Sequence, residues 1–379
     1  MQIKLSNFKS IEYASLTLKP LTILTGPPAA GKSNILDALA LIGYFNRFLL
    51  IDKEYGNNSS NLEPLYLISR FQKPIDLFTS YDLNRRIEIS LEDIKENLQF
   101  KLNIGYEAGN LKITFNETHI PWNLTNYPSN PLPAVRNALL NSIKNDKLVD
   151  TRLYGFDRYG LAINVREKPI ICGFHNKLRG EHNKQHPINI LSEFAWNIVN
   201  VIKGRRLIIN KINEFLSKNL DERIELKILR DGKIIIFEYD EEVETSGISD
   251  SIGRILYYLL ALDSVVNYTK IYGLEEKVIV CLEEPEAHVF PFILELLIEW
   301  ITKTIKLAKV VVTTHNPLLV SLLWDKFKDL SIYYTYRDRN GTTKLAELDI
   351  SKFAKDFRTT DDLVTMRPKE IVQSYIKQG

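Results

Sequence analysis

The segment Gly26-Pro27-Pro28-Ala29-Ala30-Gly31-Lys32-Ser33 fits G-x-x-x-x-G-K-[ST], and few patterns so short dictate so much of a fold. Ahead of it runs Leu21-Thr22-Ile23-Leu24-Thr25, apolar and β-branched, which reads as a buried strand. Behind it Asn34-Ile35-Leu36-Asp37-Ala38-Leu39-Ala40-Leu41 reads as the first turns of a helix. Strand, glycine loop and helix in that order make a phosphate cradle. The backbone N–H groups of residues 29–33 are expected to point into the concavity, where the positive end of the helix dipole also lies. In such a cradle Lys32 reaches the β- and γ-phosphates and the Ser33 hydroxyl binds Mg²⁺. Pro27 and Pro28 carry no N–H, so they stiffen the early loop and leave the binding to later amides.

The 379 residues suffice for one large α/β domain or two modest ones. A formal net charge of +2 provides no global basic field that would argue for nucleic acid. Two cysteines, Cys172 and Cys281, lie far apart and indicate neither a disulfide framework nor a cysteine zinc site. The start, Met1-Gln2-Ile3-Lys4-Leu5-Ser6, is interrupted at once by a charge and does not read as a signal peptide. The most apolar stretches, 35–50 and 255–266, are broken by Asp37, Arg47 and Asp263, short of the roughly 18 uninterrupted residues of a membrane helix. A soluble, cytoplasmic protein without membrane contact is the expectation.

Short strands are expected at 2–5, 15–19 and 21–25, and an antiparallel meander at 86–91, 99–104 and 111–115. Residues 52–64 read as a polar loop, 127–133 as a proline-rich connector and 134–144 as a helix. The pattern is irregular from 150 to 185, then helical in period from 190 to 202 and 207 to 216. A hairpin is expected at 224–229 and 233–239 about Asp231-Gly232. A helix at 251–268, a strand at 277–282, a helix at 292–307 and a strand at 310–314 follow. Strands at 331–336 and 344–348 lead to a charged tail, where Asp361-Asp362 reads as a solvated turn.

A second chemical signal lies in Val278-Ile279-Val280-Cys281-Leu282-Glu283-Glu284-Pro285-Glu286-Ala287-His288. A continuous apolar run ending in acid is a strand buried on both faces, with its carboxylates at the C-terminal edge of an α/β sheet, where ligands bind. Glu283 is placed to hold Mg²⁺, directly or through its water shell. Glu284, pointing the other way off the strand, could accept a proton from an attacking water. The strand Val310-Val311-Val312-Thr313 ends in Thr314-His315-Asn316-Pro317, where His315 could sense a γ-phosphate by hydrogen bonding. His288 is either a supporting or a surface residue.

At these residues the chain resembles the ABC-class ATPase heads of the structural-maintenance-of-chromosomes (SMC) proteins, RecF and the OLD-type ATPases. Four matches carry the resemblance: Asn7-Phe8-Lys9-Ser10, Gly26 to Asn34 with Ile35-Leu36-Asp37-Ala38, Leu282-Glu283-Glu284-Pro285-Glu286-Ala287-His288, and Thr314-His315-Asn316-Pro317. Order and spacing agree from residue 1 to about 335, while roughly 60–240 matches only in general character. The resemblance implies an α/β P-loop NTPase fold, an ABC-type head with a mixed central sheet, an antiparallel β lobe and a helical lobe. The whole of 1–379 then forms a single head. Residues 1–120 hold the β lobe, P-loop and first helix; 121–245 are an insertion lobe; 246–379 hold the signature-like helix, the acidic strand, the histidine and the last strands. ATP and Mg²⁺ are the implied ligands. Gly26, Ala29, Ala30, Gly31, Lys32, Ser33, Asn34 and Lys9 are the implied nucleotide contacts, with Ser33, Glu283 and Gln72 about the metal. Glu284 would be the catalytic base and His315 the switch histidine.

Such heads hydrolyse ATP between two protomers, each lending a signature segment to the other's site. The best candidate here is Ser249-Asp250-Ser251-Ile252-Gly253-Arg254, with Ser249, Ser251 and Gly253 as its signature-like residues. It departs from Ser-x-Gly, because Ser251 stands where glycine is expected; Gly247 and Gly253 are the nearby glycines that could compensate. No heptad run suggests the coiled-coil arms of SMC proteins. Only about 64 residues follow His315, too few for the nuclease domain of OLD-type proteins. An ATPase head whose effector is another chain is the expectation.

Three roles compete: a nucleotide-gated homodimer acting on DNA in repair, maintenance or defence; the regulatory ATPase of a two-component defence or toxin system that holds a protein effector; and, weakest, a transporter nucleotide-binding subunit. Basic groups at Arg85-Arg86, Lys177 with Arg179, and Lys203 with Arg205-Arg206 are small. Arg152, Arg158 and Arg166 with Tyr154, Phe156 and Tyr159 form either a stacking surface for DNA or a packed aromatic cluster.

Overall fold

The computed structural model describes residues 1–55, 69–71, 73–93, 98–116, 118–121, 150–154, 201, 206–219, 224–228, 234–239, 241–243, 250–272, 274–356 and 359–377. In chain order the strands and helices begin with β1 (Gln2–Phe8), β2 (Ile11–Thr17), β3 (Leu21–Thr25), α1 (Lys32–Tyr55), β4 (Ile87–Asp93), β5 (Leu98–Glu107), β6 (Asn110–Phe115), β7 (Thr118–Pro121) and β8 (Asp150–Tyr154). Next come α2 (Arg206–Asn219), β9 (Ile224–Ile228), β10 (Ile234–Glu238), β11 (Glu241–Val243) and α3 (Asp250–Tyr272). The last part holds β12 (Val278–Glu283), α4 (Leu294–Thr304), β13 (Lys309–Thr313), α5 (Pro317–Lys326), β14 (Leu330–Arg337), β15 (Thr343–Glu347), α6 (Ile350–Lys355), α7 (Asp362–Thr365) and α8 (Pro368–Tyr375).

The chain divides into two compact units. The first takes Met1–Leu153, Glu276–Glu283 and Lys309–Gly379 and carries two six-stranded sheets. One is mixed, in the order β15-β14-β3-β13-β12-β8, with β14, β3, β13 and β12 mutually parallel and β15 antiparallel to β14. All five residues of β3 are buried, as are the first five of β12. Strands covered on both faces need continuous apolar runs, and that is why these segments lack alternation. The other sheet, β2-β1-β4-β5-β6-β7, is antiparallel throughout. Here Ile87, Ile89 and Leu91 are buried while Glu88 is exposed, the alternation of a sheet covered on one face.

Burial pushes the phenol of Tyr334, on β14, up to about 12, and raises Tyr333 despite the N–H of Thr17 donating to its oxygen at 2.8 Å. Both rings therefore stay neutral packing groups beside β3.

The second unit, Tyr154–Glu275 with Glu284–Ala308, holds α2, α3, α4 and the antiparallel sheet β11-β10-β9. Ile228 pairs with Ile234, as the expected hairpin requires, while its Asp231-Gly232 turn lies outside the described residues. Phe292 stacks on Phe215 of α2 at 5.7 Å, and Lys211 of α2 reaches Glu299 of α4 at 3.1 Å.

Several expectations are corrected. The second strand spans Ile11–Thr17 rather than 15–19, because its partner runs out where Gln2 faces Thr17 and Pro20 interrupts the chain. The expected charged tail is folded. Phe353 of α6 packs edge-on against Tyr375 of α8 at 4.9 Å, and Leu348 bridges Ile376. The irregular pattern from 150 opens with strand β8. The helices expected at 134–144 and 190–202 lie outside the described residues except for Val201.

Candidate functional site

Parallel alignment brings the chemical segments of the first unit to one edge. Leu24, Thr313 and Glu283 share a row across β3, β13 and β12. Gly26, Thr314 with His315, and the Glu283 carboxylate therefore emerge together at the C-terminal ends of parallel strands.

The loop after β3 is built on left-handed backbone at Gly26 (φ 136°), Ala29 (φ 57°) and Gly31 (φ 100°). A Cβ at Gly26 would lie 2.1 Å from the Thr335 carbonyl oxygen, and one at Gly31 2.2 Å from Thr343 Oγ1. Both glycines are required by a close approach as well as by φ. The Ala30 N–H closes a turn on the Pro27 carbonyl at 3.3 Å, and the exposed Ala29 gives its carbonyl to Arg337 Nε at 2.9 Å. Behind the loop, Asn34 Nδ2 donates to Ser10 Oγ (2.7 Å), Ser10 Oγ meets Thr343 Oγ1 (2.6 Å), and Thr343 Oγ1 donates to the Ala30 carbonyl (2.9 Å). Asn34 thus braces the loop from behind.

Lys32 is 4% exposed, and its ammonium donates to the carbonyls of Gly26 and Pro27, each at 3.0 Å. It also lies 2.9 Å from His315 Nε2. The other ring nitrogen, Nδ1, lies 3.4 Å from the same ammonium, so the imidazole sits edge-on to Lys32. Ser33 follows, half-buried in the first turn of α1, a turn without acidic residues. The helix end thus keeps its positive partial charge for an anion.

Beside the loop lies a charged network with two members that motif reading missed. Asp37 is fully buried; its Oδ2 receives Lys9 Nζ at 2.5 Å and Arg70 Nη2 at 3.5 Å. Lys9 also donates to the Ser69 carbonyl. Arg70 Nη1 lies 3.5 Å from Glu283 Oε1. Lys9 is thus turned toward Asp37, at a left-handed position (φ 51°) between β1 and β2. A lone acid within an apolar helix start was the available signal for Asp37; nothing local marks Arg70.

Glu284 follows the strand in the left-handed region (φ 42°), so the strand alternation used to orient its side chain ends at Glu283. Its carbonyl accepts the Ala287 N–H at 3.1 Å. Ser251, half-exposed in the first turn of α3, donates from Oγ to the His288 carbonyl, and Gly253 is buried. Gln72, Ser249 and Gly247 lie outside the described residues.

The oxygen donors suit a hard cation shared with phosphate. Ser33 provides one hydroxyl and Glu283 one carboxylate, and among the described residues no group of three or more His, Cys, Asp or Glu could hold a metal by itself. Mg²⁺ is typically held by one or two carboxylates plus substrate phosphates, so these residues fit it.

Fold and cradle define a P-loop ATPase head of the ABC type. Residues 21–321 match the AAA_21 family, described as "AAA domain, putative AbiEii toxin, Type IV TA system", and the chain belongs to that family. A solved SMC head bound to the C-winged helix domain of ScpA is similar over 93% of this chain and 98% of its own, at 15% identity and a TM-score of 0.51. At that identity the likeness speaks to the fold alone. An SMC head domain from Thermotoga maritima aligns over 92% of this chain and 98% of its own at 13% identity, with a TM-score of 0.46. A head with an extended coiled coil bound to the C-terminal domain of ScpA, derived from Pyrococcus furiosus, covers 94% and 98% at 13% identity, TM-score 0.47. No match is found among the curated proteins.

Proposed function

We propose that this chain is a Mg²⁺-dependent ATP-binding and slowly hydrolysing ATPase, a single head in which nucleotide closes a homodimer or opens a partner site. The observation that carries the reading is the buried Lys32 ammonium, held on the carbonyls of its own loop and on His315. On binding, Lys32 exchanges those carbonyls for β- and γ-phosphate oxygens. The remaining amides of 29–33 and the end of α1 receive the other phosphate oxygens. Ser33 and Glu283 would hold Mg²⁺, whose charge would offset that building on the β- and γ-oxygens. His315, released from Lys32, donates to the γ-phosphate, and Glu284 takes the proton of the attacking water. Ser251 and Gly253 complete the partner protomer's site.

The solution mass of Glu284→Gln with and without Mg·ATP tests this reading. A shift from monomer to dimer supports closure. An unchanged mass, with ATP binding shown separately, refutes self-closure and turns the search to another chain.

For the partner, a protein effector in a toxin–antitoxin setting is favoured over DNA. The description of the family supports it. Arg85, counted among the basic groups, is paired with Glu12 and Asp82 at 3.3 Å. Tyr154 is fully buried against Tyr257, a packing contact rather than a base-stacking face. Arg158, Arg166, Phe156, Tyr159, Lys177, Arg179, Lys203 and Arg205 lie outside the described residues. Among the described residues no helix is long and apolar enough to cross a membrane. ATP-stimulated binding to mixed-sequence DNA that weakens steeply with salt would restore the DNA reading.

A further inference from the structure

We propose that Arg70 is a place-holding cation for Glu283: its guanidinium occupies the carboxylate that Mg²⁺ needs, and loading of Mg·nucleotide displaces it. The proposal rests on Glu283 being the metal-supporting carboxylate.

One planar guanidinium spans two acids from different elements, Asp37 of α1 and Glu283 of β12, each at 3.5 Å. Asp37 already holds the Lys9 ammonium at 2.5 Å, so Arg70 is the second cation on that acid, whereas Glu283 receives it as a counter-charge. Among the described residues these ion pairs join two cations, Lys9 and Arg70, to two anions, Asp37 and Glu283. A divalent ion at Glu283 would repel a guanidinium held 3.5 Å from its Oε1. The two cations also differ in freedom. The Lys9 side chain is 10% exposed and pinned by Asp37 and the Ser69 carbonyl, while that of Arg70 is 40% exposed and has room to swing into solvent. Arginine stays charged at any working pH, so its hold on Glu283 responds to a competing cation and not to proton loss.

Arg70 sits in the left-handed region (φ 45°), a conformation costly for a side-chain-bearing residue, directly after Ser69, whose carbonyl receives Lys9.

The test is the Mg²⁺ concentration at half-maximal binding of a fluorescent non-hydrolysable ATP analogue, together with analogue affinity in EDTA. Arg70→Gln is expected to lower the Mg²⁺ midpoint about two- to fivefold, the range of a partly exposed ion pair, and to leave the EDTA affinity unchanged. Arg70→Lys, which keeps the charge, should stay within about twofold of wild type. Glu283→Gln should raise the midpoint, and adding Arg70→Gln to it should change nothing further, because the two act through one interaction. Thermal melts confirm folding, which Lys9 protects by keeping Asp37 paired. An unchanged or raised midpoint in Arg70→Gln, with Glu283→Gln behaving as stated, overturns the proposal alone. Weaker EDTA affinity in Arg70→Gln also overturns it, by making Arg70 a phosphate contact. An unshifted midpoint in Glu283→Gln removes the metal role of Glu283 and the proposal with it.

Discussion

The phosphate cradle and the start of α3 are the two regions to which the proposed chemistry assigns nucleotide contacts, and they are built by opposite means. The cradle is packed from behind. Gly26 lies against the backbone of Thr335, Gly31 against the side chain of Thr343, and Arg337 holds the Ala29 carbonyl. The start of α3 is half-exposed at Ser251 and tethered there by a hydroxyl donated to the His288 carbonyl. Where the surroundings are backbone, no residue but glycine fits; where they are a surface turn, a serine fits and gains a hydrogen bond.

Breaking the cradle should have the largest effect. Gly26→Ala sets a Cβ against a carbonyl oxygen in a strained φ and is expected to cost about 3 kcal/mol or more in chemical denaturation. Gly31→Ala meets mostly side-chain atoms, so adding Thr343→Ala should recover about 1 kcal/mol of its loss. Equal, unrescued losses at the two glycines would erase the distinction between backbone and side-chain packing.

Lys32→Ala comes next. It should weaken nucleotide binding about 100-fold or more by calorimetry, the scale of lost charge-assisted hydrogen bonds to phosphate. Nucleotide binding close to wild type would remove the lysine from the site altogether.

At α3 the effects should be smaller. Ser251→Ala loses one hydrogen bond, about 0.5–1.5 kcal/mol in denaturant unfolding. A loss as large as that of Gly26→Ala would show the α3 start to be as tightly specified as the cradle.

The smallest effect concerns acid. The Glu299 carboxyl is held below its ordinary range chiefly by the hydrogen bond from Lys303, and further by Lys211. A depressed folded pKa means the stabilisation is complete above the unfolded value near 4.5 and is lost as pH falls through the folded one. The pair is nearly half exposed, so Glu299→Gln should remove only a few tenths of a kcal/mol at pH 7 and flatten the acid limb of the stability profile correspondingly.

Much of the fold was legible locally. β3 falls on residues 21–25 as read, because a five-residue buried run flanked by Pro20 and Gly26 has few other conformations open to it. The meander and the last strand pair were found from alternation, with ends displaced by a few residues where partner strands run longer. The tail reads only as charged because α6, α7 and α8 are short and carry their charges between single buried residues. Their place comes from Phe353, Leu363, Ile371 and Tyr375, buried one by one. Such scattered apolar residues have no period long enough to read.

The site divides along the same line. Motif spacing and the resemblance mark Lys32, Ser33, Glu283 and His315, and the parallel strands bring the segments that carry them to one edge of the sheet. That Lys32 meets His315, 283 residues away, followed from strand order, which inserts β13 between β3 and β12. Only the tertiary structure decided that Lys9 turns to Asp37 and that Arg70 reaches Glu283. A cation's choice among several acids is an electrostatic contest settled by distance and burial, and neither quantity is written in the linear order of residues.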